Sequence, residues 1–75
     1  MDRLEPAELA QVALEKSGYV DASAVILDLG AAARWQPRVI REAMEATLAQ
    51  PPSQNTQRAL RLLFYAYEEA IRRAG

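Results

Sequence analysis

Seventy-five residues without one cysteine or histidine have only packing to hold them together. A domain of this length buries only roughly 60–65% of its unfolded-chain surface, so its core is thin. Such chains often gain stability from a disulfide, a metal or a partner subunit. Here a disulfide is excluded, and so are the common zinc sites. Regular helix packing remains, or association with another chain.

The breakers then dictate where elements can run. Pro6, Gly18, Gly30, Pro37 and the stretch Pro51-Pro52-Ser53-Gln54-Asn55 punctuate the chain. No run alternates with period two for long enough to make a strand. AVILDLG, residues 24–30, has strand-like composition, but its alanine-rich neighbours favour helix. The pattern predicts an all-α, compact bundle of four helices, about 6–17, 21–34, 37–50 and 55–73, in a single helical domain over residues 1–75. Pro6 suits the first position of helix one, Gly18 the position past its end, and Asp21 the N-cap of helix two. Gly30 is expected to bend helix two, end it early, or let a neighbour approach closely.

Helical periodicity assigns the faces. Helix one sets Leu9, Ala10, Val12, Ala13 and Leu14 against Glu8, Gln11 and Glu15. Helix three turns Val39, Ile40, Ala43, Met44 and Thr47 inward. Helix four lines one face with Leu60, Leu63, Phe64, Tyr67, Ala70, Ile71 and Ala74, and the other with Arg58, Arg61, Glu68, Glu69, Arg72 and Arg73. Glu68–Arg72 and Glu69–Arg73 have the favoured acid-first order. The expected core is Val25, Ile26, Leu29, Ile40, Leu60, Leu63 and Phe64. Between Asp21 and Arg34 the only charge is Asp28, so helix two is apolar almost all round. It is expected to be central, wrapped by the other three, or to meet another subunit in part.

Lys16 to Pro37, KSGYVDASAVILDLGAAARWQP, resembles the middle of a tetratricopeptide or pentatricopeptide repeat. Gly18 matches the turn, Asp21 with Ala22 or Ser23 the opening of the second helix, Ile26, Leu27 and Leu29 its apolar face, and Pro37 the unit boundary. The resemblance covers about one repeat and implies a helical hairpin and, by analogy, a protein-binding role; some small bacterial secretion co-chaperones look like this.

Composition and residue types narrow the function. The chain is 51% hydrophobic and 25% charged at net charge −1, which is globular and offers no electrostatic footprint for nucleic acid or a membrane surface. The weakly polar stretch is too short and too interrupted to span a membrane. MDRLEPAELA does not read as a signal peptide, so the expected location is the cytoplasm, and the Ala, Arg, Leu and Glu bias fits a bacterial source. The usual general base and strong nucleophile are absent, and the carboxylates sit at ion-pair spacing beside arginines, so no enzymatic activity is expected. Asp28, the one acid in an apolar setting, is either a functional acid, a residue at the edge of the buried face, or the partner of an arginine such as Arg34. LGAAAR lacks the remaining residues of a phosphate-binding loop. No cofactor, metal or small-molecule substrate is indicated.

Two function classes remain. The first is a protein-binding module: a small adaptor, inhibitor, regulatory subunit or co-chaperone. Leu62 and Tyr65, off the main apolar stripe of helix four, with Trp35 and Tyr19 in turns, would be its interface anchors. The partner is another protein or a second copy in a homodimer. The second is a dimeric helix-turn-helix regulator contacting DNA through Arg34, Arg38 and Arg41, with Glu42 and Glu45 on the same face opposing phosphate contact.

Overall fold

Each helix starts at a local signal of its own, and α2 also stops at one. The computed structural model describes residues 4–75; residues 1–3 of the expected domain lie outside the described residues. Helices α1 (Pro6–Lys16), α2 (Ala22–Ala32), α3 (Pro37–Leu48) and α4 (Gln54–Ala74) follow in order, and no strand occurs among the described residues. Pro6 and Pro37 open α1 and α3, where the missing N–H costs nothing. At α1 the Glu5 N–H donates to the Glu8 carboxylate at 3.2 Å. Asp21 accepts the Ala24 N–H at 3.1 Å, and Ser53 the Thr56 N–H at 3.1 Å, so both caps satisfy backbone donors that the helix cannot.

The end of α2 is a Schellman motif. The Trp35 N–H donates to the Gly30 carbonyl at 2.8 Å and the Arg34 N–H to the Ala31 carbonyl at 2.9 Å. Arg34 takes φ 54°, the left-handed position where glycine usually stands, and Trp35 follows at φ 52°. The Arg34 side chain is exposed. Arg34→Gly should therefore raise stability by about 1 kcal/mol, because the Cβ clash disappears and no buried contact is lost. The urea midpoint is the measurement; an unchanged or lower midpoint would show that Arg34 bears no strain.

Helices α1 and α4 form the centre, and both pack on α3 and α2. Helices α2 and α3 lie on opposite sides of that pair and scarcely touch. The radius of gyration is 10.9 Å, close to the value of about 11 Å for a compact domain of this length. The core comprises Leu9, Ala10, Ala13, Val25, Leu29, Ala33, Val39, Ile40, Ala43, Ala59, Leu62, Leu63, Ala66 and Ala70. Half of these are alanine, which lets helix axes come close and leaves little depth for large side chains.

That alanine seam corrects the expected core. Val25, Leu29, Ile40 and Leu63 are buried as expected. Ile26 and Leu60 are only half-buried, while Phe64 and Ile71 are 45% and 48% exposed. The buried face of α4 is Thr56, Ala59, Leu62, Leu63, Ala66 and Ala70, turned away from the stripe of largest residues. Helix α2 is not central either. Only Val25, Leu29 and Gly30 of it are buried, and Leu27 is 51% exposed. Asp28 lies at the surface and pairs with Lys16 at 3.1 Å, not with Arg34. The hairpin implied by the repeat resemblance is not the main packing unit, since α1 packs chiefly on α3 and α4, and α2 on α4.

Candidate protein-docking surface

Because the seam takes alanines beside Leu62 and Leu63, several large residues of α4 are left outside. Phe64 and Tyr65 stand side by side on its outer face, 45% and 47% exposed, their ring centroids 6.1 Å apart and tilted. Around them lie three adjoining shallow depressions. One, of about 440 Å³, runs between α2 and α4 and is lined by Ser23, Ile26, Leu27, Tyr65, Glu68, Glu69 and Arg72. A second, of about 460 Å³, is bordered by Phe64, Tyr67, Glu68, Ile71 and Arg72. The smallest, of about 170 Å³, lies among Ser17, Tyr19, Ala22, Arg58, Arg61, Leu62 and Tyr65. Shared walls at Tyr65, Glu68 and Arg72 make them one surface, in which charged side chains stand between the apolar ones. Exposed aromatic side chains of this kind are enriched at protein interfaces.

The expected anchors separate on this surface. Tyr65 sits at its middle and Tyr19, 64% exposed, at one end. Leu62 lines the floor between them but is 9% exposed and belongs to the core, so it is not the free surface residue that its charged neighbours suggested. A change at Leu62 therefore disturbs folding first. Trp35 is elsewhere. It is half-buried, its ring lies over Gly30, and the Arg73 guanidinium stacks on it 3.8 Å from the ring centroid. This indole is occupied within the chain, as a lid on the end of α2.

Sequence reading missed Leu27, Phe64 and Ile71 as surface members. The signal was available in Ala59, Ala66 and Ala70, which with Thr56 and Leu63 recur at three- and four-residue intervals and mark the side of closest approach.

Of the arginines of the DNA reading, Arg38 and Arg41 lie on α3 and Arg34 in the turn before it. Arg34, Arg38 and Arg41 are all exposed, but Arg38 Nε is paired to Glu42 at 3.1 Å. Helices α2 and α3, which a helix-turn-helix packs together, scarcely touch. Among the described residues there is no cluster of metal-ligating side chains, and no helix is long and apolar enough to cross a membrane.

No family model, curated protein or solved structure matches the chain. The repeat resemblance of residues 16–37 thus rests on the sequence pattern alone.

Proposed function

We propose that the chain is a non-enzymatic protein-binding module, working as an adaptor, inhibitor, regulatory subunit or co-chaperone, and that it engages its partner through the outer face of α4. The observation that carries this reading is the exposed Phe64–Tyr65 pair on a 21-residue helix, sharing depressions with Leu27 and Ile71 and interspersed with Arg58, Arg61, Glu68 and Arg72. Aromatic side chains on a rigid support lose little entropy on docking and supply much of an interface's energy. The acids do not suggest catalysis: Asp28, Glu42 and Glu69 sit in ion pairs at the surface with Lys16, Arg38 and the pair Arg72 and Arg73.

The double variant Phe64→Ser with Tyr65→Gln tests the surface. Both positions are outside the core, so helicity and melting should stay close to wild type. Binding to a partner recovered from extract of the source cells should weaken by at least about tenfold if these are anchors. Circular dichroism and a quantitative pull-down read the two effects. A folded variant that binds as tightly as wild type would overturn the assignment.

A further inference from the structure

We infer that the partner on this face is a second copy of the chain, with the two α4 helices packed antiparallel across a two-fold axis between Phe64 and Tyr65. The inference rests on the protein-binding reading and specifies its occupant.

The placement of charge on α4 carries it. The buried positions of α4 put its outermost line through Arg61 and Glu68. These two are seven residues apart, so they share nearly the same azimuth and are separated by about 10 Å along the axis. The Phe64–Tyr65 pair lies midway between them. Glu69 binds both Arg72, at 3.4 Å, and Arg73, at 3.2 Å; Glu68 and Arg61 have no ion pair among the described residues. Along the outer face the order is therefore cation, an aromatic ring to each side of the line, anion, placed symmetrically about the centre.

Only one orientation of an identical helix satisfies that order. A parallel copy sets Arg61 against Arg61 and Glu68 against Glu68. An antiparallel copy centred between the rings sets each Arg61 against the second copy's Glu68, twice by symmetry. It brings the Phe64 rings together on one side of the axis and the Tyr65 rings on the other. The four rings then form a dry centre closed at each end by an ion pair, and closed two-fold pairing is the commonest homo-oligomeric arrangement. The contact is essentially one helix wide, at the small end of specific interfaces, so the dimer is in rapid exchange with monomer.

The test is charge reversal read by sedimentation equilibrium. Wild type should dimerise, and less so at high salt, because exposed ion pairs are screened. Arg61→Glu alone and Glu68→Arg alone should each weaken the dimer at least about tenfold, since each places like charges opposite one another. Mixing these two single variants should restore dimers, now heterodimers, and the combined Arg61→Glu/Glu68→Arg chain should restore the homodimer. Circular dichroism checks folding; if a reversal unfolds the chain, Arg61→Gln and Glu68→Gln remove the charge without opposing it and should also weaken the dimer. A wild type that stays monomeric at millimolar concentration, or single reversals that dimerise unchanged, would overturn the inference. Loss of binding to a different protein in the Phe64/Tyr65 variant, beside a monomeric wild type, would remove the self-pairing and leave the docking surface standing.

Discussion

Gly30→Ala should destabilise this protein, although alanine is the better helix former by about 1 kcal/mol. A Cβ at position 30 would overlap the six-membered ring of Trp35, which lies flat over the glycine. The ring cannot slide aside cheaply. Its backbone is held by the Trp35 N–H bond to the Gly30 carbonyl at 2.8 Å, and its other side carries the Arg73 guanidinium 3.8 Å from the centroid. The indole must swing out, losing its packing on the core and the cation–π contact. Overpacking and lost burial of this kind cost about 2–4 kcal/mol, which exceeds the propensity gain and leaves a net loss of about 1–3 kcal/mol. The same substitution made in a Trp35→Ala background should reverse sign and stabilise by about 1 kcal/mol, because the obstacle is gone and only the propensity term remains. Chemical denaturation of the four chains of this cycle reads both effects. A Gly30→Ala loss that persists unchanged without Trp35 would show that the indole is not its cause.

The glycine shows how much of the fold was legible and where legibility stopped. Among the roles foreseen for Gly30, the structure shows close approach of a neighbour, and α2 ends two residues later at Ala32, short of the expected 34. The neighbour could not be named, since it is the residue five positions on, folded back by two consecutive left-handed residues that are not glycine. Arg34 and Trp35 carry no sequence mark for that conformation. The helix boundaries, by contrast, were written in Pro6, Asp21, Pro37 and Ser53, because caps and breakers act locally and need no tertiary partner.

Faces were harder than boundaries. Periodicity by size places Phe64 and Ile71 inside and Leu62 outside, and the structure does the reverse for all three. A thin core explains this. The four helices of so small a domain gain more from close contact of many backbones through alanine than from wedging a few large rings between them. The candidate surface was half visible for the same reason. Tyr65 was recognised as off the stripe and Tyr19 as a turn residue, while Phe64 and Ile71 were credited to a core too shallow to take them.

Adjacent residues on α4 provide the sharpest test of that account. Leu63 has no exposed surface and Phe64 is 45% exposed, although both lie on the stripe that periodicity assigns to the core. Leu63→Ala should cost about 2–5 kcal/mol, the transfer of its side chain plus the cavity left among close-packed helices. A 75-residue domain has roughly 4–11 kcal/mol of stability in all, so this variant should be partly unfolded at room temperature or melt far below wild type. Phe64→Ala, which removes a larger side chain, should cost less than about 1 kcal/mol, because half of that ring already meets water and its removal opens no closed cavity. If the chain dimerises, the two variants should separate in a second way. Leu63→Ala loses stability at every protein concentration, whereas Phe64→Ala loses only the part of the melting temperature that rises with concentration, since a contact made between copies stabilises by mass action. Thermal melts across a hundredfold range of concentration distinguish the outcomes. Equal losses for Leu63→Ala and Phe64→Ala in dilute solution would place both side chains in one core, and the outer face of α4 would then have no aromatic pair to offer a partner.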